Sequence, residues 1–349
     1  MNNCGLLVLL CLLFFSACNN SEKNTDFDKE PMLENLAFNL AIPAYEHSLH
    51  SFHSLDSSLQ ILKKNHSEEN LIRAQEFWKK ASIGWAKTSP YNFGPIDDLL
   101  IENNFHYFPI DSTKLKSALE NFNGDDDFIN KLGSNSRGLG ALEFLLFSES
   151  ITLDENNIAF AEILSHNLVK LNQEILDQWK SDYAKTFASS TGSNINASIT
   201  ILSNQWIELA EKIKNDKIGV PAGKMAGEEH NIYAVQAPYS QISLALIKAN
   251  LEALQQSING KEGKGVDDYL NSLDIKDSEG KLLSSKINAQ FDLIISLIEE
   301  KQSLKDLIKE DSESLNEIYL QVLNLTILLK TDMMSQLGLI TTFSDSDGD

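Results

Sequence analysis

Charge is missing from the first seventeen residues, and base is scarce throughout: 29 Lys and Arg face 50 Asp and Glu, a formal net charge of −21 over 349 residues. That balance excludes nucleic acid as a partner, because phosphate binding needs a clustered basic surface. The short basic runs Lys63-Lys64, Lys79-Lys80 and Lys212 to Lys217 are interrupted or flanked by acids. A surplus of carboxylates suits cations or simple solubility. There is no His-Glu-x-x-His zinc signature, no Gly-x-Ser-x-Gly elbow and no phosphate-cradling glycine loop. Strand-like alternation bounded by turns is also scarce, which points away from any sheet.

Cysteine is equally rare, with Cys4, Cys11 and Cys18 the whole set. The apolar run from Leu6 to Phe15 is too short to span a membrane but fits the core of an export signal. The small pair Ser16-Ala17 before Cys18 resembles a bacterial lipobox. This implies cleavage after residue 17 and acyl chains on Cys18, with a plain secretory signal or an uncleaved anchor as the alternatives. Asn19 in place of Asp favours the outer membrane as the destination. Residues 18–31 then read as a polar tether. Losing Cys4 and Cys11 with the signal leaves no disulfide and no thiol nucleophile in the mature domain. Such a domain must rely on a large apolar core, which a chain of this length can bury.

Helical periodicity dominates the remainder. Leu71, Ala74, Trp78, Ala81 and Trp85 recur at steps of three and four, as do Leu244, Ile247, Leu251, Leu254 and Ile258, and Leu315, Tyr319, Val322, Leu325 and Leu329. Helices are expected near 33–66, 68–88, 112–121, 136–148, 153–186, 194–214, 237–259, 280–300 and 312–336. Pro43 should kink the first helix or mark its true start. The expectation is an all-α protein of two packed helical-bundle domains, 32–150 and 151–340, with an acidic tail at 341–349. Asp345, Asp347 and Asp349 in that tail lack the distal ligands of a calcium loop, so the tail reads as solvated.

The most telling segment runs from Ala141 to Phe147, where every residue except Glu143 is apolar. A lone buried carboxylate costs several kcal/mol unless paired or protonated, so Glu143 requires a partner. Either it holds another helix's backbone or a basic side chain, or it belongs to a ligand or metal site. His47, His50 and His53 stand three apart on the first long helix. They form either a polar stripe or, as His47 with His50, a pair able to bind a transition metal.

Six segments, in order, resemble the imelysin-like family. They are Ile42-Pro43-Ala44-Tyr45; Trp78 and Trp85 followed by Phe93-Gly94-Pro95-Ile96; Phe108-Pro109-Ile110-Asp111; the stretch Arg137 to Phe147; Lys217 to Gly223; and Val235 to Ser240. The resemblance spans residues 33 to 340 and implies a helical fold and a link to iron uptake, with metallopeptidase activity also ascribed to the family. The family's Gly-x-His-x-x-Glu motif has lost its imidazole here, at Gly140, and Gln236 stands where Glu is frequent. His and Glu three apart share a helix face and can hold one ion; Glu143 without that neighbour makes a poor metal site.

The reading is therefore a non-catalytic binding or accessory lipoprotein of the envelope, linked to iron or other metal acquisition. Its ligand site is expected between the bundles around Glu143, lined by Asp111, Arg137, Lys217, Tyr239 and Ser240. Lys217 and Arg137 would balance charge, and a helix starting at Tyr239 would supply free N–H donors. The alternatives are a metallopeptidase using the first-helix histidines, and a structural module that binds another envelope protein.

Overall fold

The structure, a computed structural model, describes residues 27–225, 229–277 and 279–342. The expected signal, Cys18, most of the tether and the aspartates of the acidic tail lie outside them. The N-terminal helices are α1 (Glu30–Glu34), α2 (Ile42–Lys64), α3 (Glu68–Ala86), α4 (Pro95–Leu99), α5 (Ser112–Asn121), α6 (Gly138–Phe147), α7 (Glu155–Gln178) and α8 (Ala184–Ser189). After them come α9 (Ser198–Lys212), α10 (Ser243–Asn259), α11 (Val266–Ser272), α12 (Leu283–Glu299), α13 (Leu304–Glu310), α14 (Ser312–Ile327) and α15 (Met334–Leu337). Among the described residues no strand forms, only an isolated bridge between Lys276 and Leu282. The architecture is all-α, as the periodicity predicts.

Local chemistry sets the helix starts. Ser67, Asp154 and Asp311 each turn a side-chain oxygen onto a free N–H of the first turn, at Asn70, Asn157 and Ser314. Such caps satisfy donors that a helix cannot satisfy internally. Pro43 does not end its helix. The turns before it, Asn35–Ala41, widen to π-helical bonding. Proline supplies no N–H and crowds the carbonyl four residues back, so a wider turn is one way to keep the chain helical.

In the first bundle α2 packs along α3 and α7, and α6 lies against both α3 and α7. In the second, α10, α12, α14 and α9 pack in turn. Contacts of α10 with α3 join the two, and one apolar core runs through both. The packing of α7 on α2 and α6 carries the first bundle past residue 150. No helix among the described residues is long and apolar enough to cross a membrane.

Several expected helix bounds differ from the structure. The short helices α11 and α13 are absent from the periodicity reading, because seven residues give too few turns for a pattern. The helix expected from 237 begins only at Ser243. Ala237 and Gln241, at φ of +59° and +60°, hold the preceding segment in turns. Pro238 contributes, since a residue before proline is disfavoured in the right-handed helical region.

Candidate functional site

Helix α6 is pinned at its first residue. Gly138 has φ +70°, and a Cβ there would lie 2.4 Å from the Asn104 carbonyl oxygen and 2.5 Å from that of Phe105. Only glycine tolerates that approach in that conformation. The Leu139 N–H donates to the Phe105 carbonyl at 2.7 Å, and the Trp78 indole donates to the Leu139 carbonyl at 3.0 Å. Fixed between these contacts, α6 buries every residue from Gly138 to Leu146, and Glu143 is 2% exposed.

The partner that Glu143 requires is a turn in the second bundle. Its Oε1 accepts from the Tyr239 N–H at 2.8 Å, the Ser240 N–H at 2.7 Å and the Ser240 hydroxyl at 2.8 Å. These donors come from a turn framed by the left-handed residues Ala237 and Gln241, and not from the start of a helix as expected. Left-handed backbone costs a non-glycine residue about 1–2 kcal/mol, which the charge-assisted bonds to Glu143 offset. The Ser243 hydroxyl donates to the Gln236 carbonyl, and the Lys305 ammonium donates to the Pro238 carbonyl at 2.8 Å. Burial pushes the Glu143 carboxyl up to about 7, against the opposing pull of the Ser240 and Tyr239 donors and, more weakly, of the Lys305 charge.

Above Glu143 and Gly140 opens a pocket of about 300 Å³, lined among others by His106, Phe108, Ser112, Asn231 and Tyr239. Tyr107 and Tyr233 also line it and are exposed, Tyr233 to 61%. The Lys305 ammonium sits 4.9 Å from the Tyr233 ring centre. All three bonds to Glu143 end on Oε1, so Oε2 receives none of them.

The donor set does not fit a metal ion. A Cβ at Gly140 would lie 2.6 Å from Ile110 Cγ2 and 2.8 Å from the Tyr107 carbonyl oxygen. The loop carrying Tyr107 to Ile110 therefore occupies the space an imidazole at 140 would need. Among the described residues no three His, Cys, Asp or Glu side chains are grouped to hold an ion. His47, His50 and His53 are all exposed along α2.

Of the six residues expected around the site, three meet: Glu143, Tyr239 and Ser240. Asp111 instead caps α5, accepting from the Lys114 N–H at 3.0 Å with the Lys114 ammonium at 3.4 Å. The backbone bond leads in holding its carboxyl below the usual carboxylate range. The Arg137 guanidinium donates to the Leu132 carbonyl, five residues back. Lys217 lies in a neighbouring chamber, bonded to Asn250. Ser112, Asn231, Tyr233 and Lys305 were not among the expected site residues. Ser112 directly follows the segment Phe108 to Asp111, whereas Asn231 falls between the two resembling segments of the second bundle, and nothing in the periodicity singles out Lys305 on α13.

Comparison with known proteins agrees with the all-α fold. Residues 41–329 match the imelysin peptidase family, and the chain belongs to that family. Iron-regulated protein A of Synechococcus elongatus is 24% identical over 219 residues; the match covers 59% of this chain and 58% of that protein. An imelysin-like protein from Psychrobacter arcticum superposes with a TM-score of 0.76 at 19% identity, over 91% of this chain and 99% of that one. A candidate iron-regulated protein A precursor from Parabacteroides distasonis gives 0.74 at 16% identity, covering 90% and 97%.

Proposed function

We propose that this member of the imelysin family is a non-catalytic binding protein, or an accessory protein, for iron or other metal acquisition, tethered to the outer membrane through Cys18. The observation that carries the reading is the state of Glu143. Its carboxylate lies at the base of a pocket sized for a small ligand, one oxygen saturated by three donors and the other left free of them. A general base or metal-water site needs a neighbouring ligand or substrate-activating group. At 140 that neighbour is glycine, with a loop packed on it. What remains is a recognition site: a carboxylate that accepts a donor or a cation carried on a ligand, beneath the exposed rings of Tyr107 and Tyr233. The relatives' descriptions as iron-regulated proteins support the iron connection.

Equilibrium dialysis of the purified mature chain against iron chelates, with metal analysis, tests the proposal. Binding should be saturable and should weaken by about tenfold or more in Glu143→Gln, the scale of one charge-assisted contact. Identical binding by the variant removes Glu143 from the site. Chelator-sensitive proteolysis by the parent chain would overturn the non-catalytic reading.

A further inference from the structure

A second chamber adjoins the Glu143 pocket, with His106 and Phe108 lining both. It encloses about 50 Å³, room for one small ion or a few waters. Lys217 lines it and is only 5% exposed. Its hydrogen bond goes to the Asn250 side-chain oxygen, a neutral partner, so two of its three N–H donors remain. Among the described residues no carboxylate forms an ion pair with it, and Asp216 and Glu102 act on it only from beyond that range. Buried charges are ordinarily paired, and an unpaired one costs several kcal/mol.

Other groups in the chamber are equally incomplete. His106 Nε2 is buried without a partner, and so is the Oε1 end of Gln236, a side chain 6% exposed. Lys212 lines the same wall, and both lysines push the His106 imidazole down, behind the larger effect of burial around it. Of the two carboxylates present, Glu102 is engaged by Lys212 at 3.6 Å and by the Asn92 amide at 3.3 Å. Burial, and after it the charge of Glu102, pushes the Glu208 carboxyl up, with Lys212 opposing.

We propose that this chamber binds a small oxyanion of the size of bicarbonate or phosphate, held by Lys217, His106 and Gln236. Lys217 Nζ supplies the charge-assisted bonds. His106 donates from Nε2 in the matching tautomer, and the Gln236 carboxamide donates once turned nitrogen-inward, a choice that its surroundings leave open. The anion neutralises a buried ammonium that nothing else pairs. The site is built on Lys217 and not on the carboxylate of Glu143, and shares with that pocket the wall formed by His106 and Phe108.

The test is a titration of the purified mature chain with inorganic phosphate, and separately with bicarbonate, against chloride at matched ionic strength. The readouts are tryptophan fluorescence, since Trp85 lines the chamber, and the thermal midpoint. A saturable response to either oxyanion, tighter than about 1 mM, is expected. It should weaken at least about tenfold in Lys217→Met, which keeps the stem and removes the charge, and in Gln236→Glu, which adds a negative charge. Glu143→Gln should keep the response unchanged. A wild-type response that never saturates, or one that survives intact in Lys217→Met, overturns the proposal. Loss of the response in Glu143→Gln overturns it too, by moving the anion to the other pocket.

Discussion

Replacing Glu143 by Gln isolates the energetics of the buried charge. The carboxyl titrates at about 7 in the folded chain against an ordinary 4.5, with burial the leading cause. The folded chain thus holds this proton more tightly than the unfolded chain does. Below pH 4.5 both states are protonated and Glu143 adds no pH dependence. From there to about pH 7 the unfolded chain ionises first, so stability falls; above pH 7 the loss levels off. At about 1.4 kcal/mol per pH unit, the plateau is about 3 kcal/mol. Glutamine cannot ionise, yet its side-chain oxygen can accept from the same Tyr239 and Ser240 donors. Urea unfolding of both proteins across pH 4.5 to 8, followed by helical circular dichroism, gives the difference directly, and shared titrations cancel. The advantage of E143Q over the parent should grow by about 3 kcal/mol across that range. A difference that stays flat would refute the claim that a buried, net-unfavourable carboxylate sits at 143.

Other perturbations follow from the same contacts. Gly140→Ala should destabilise by about 1–3 kcal/mol in urea unfolding despite the better helix propensity of alanine, because its Cβ meets Ile110 and the Tyr107 carbonyl; Ile110→Ala in the same chain should return part of that loss. Asn250→Ala should cost about 2–4 kcal/mol, since Asn250 also donates to the Ala86 carbonyl at 2.7 Å and the Ser89 hydroxyl at 3.0 Å. Lys217 is depressed to about 7, chiefly by burial, so the parent should gain stability as pH rises from 7 towards 10. Lys217→Met should abolish that gain in unfolding measurements, and a parent whose stability is flat there would contradict the placement of the ammonium. Tyr45→Phe should cost about 1 kcal/mol in thermal unfolding, because the buried hydroxyl lies 3.1 Å from both the Tyr91 carbonyl and the Asn92 side-chain oxygen.

How much of the site was readable beforehand depends on the range of the interaction. That Glu143 needs a partner follows from a run of apolar neighbours on a short helix, and Tyr239 and Ser240 are named by segment resemblance. The role of Asp111 was misplaced because its own sequence neighbourhood, three residues before Lys114, already offers a complete capping partner. Arg137 was misplaced for a similar reason, its guanidinium being taken by a carbonyl only five residues away. Local bonds of this kind outcompete long-range ones because they close a short loop.

Sequence alone determined what short-range physics controls. Apolar spacing dictated an all-α chain, caps at Ser67, Asp154 and Asp311 set helix starts, and an all-apolar helix made one carboxylate a liability. Tertiary structure decided which atoms answer it: a turn made left-handed at Ala237 and Gln241, a loop pressed onto Gly140, and an ammonium at 217 buried against a neutral amide. These outcomes depend on the approach of segments about thirty to about a hundred residues apart, where a shift of one ångström exchanges one partner for another. Periodicity records which face is buried but not what it is buried against.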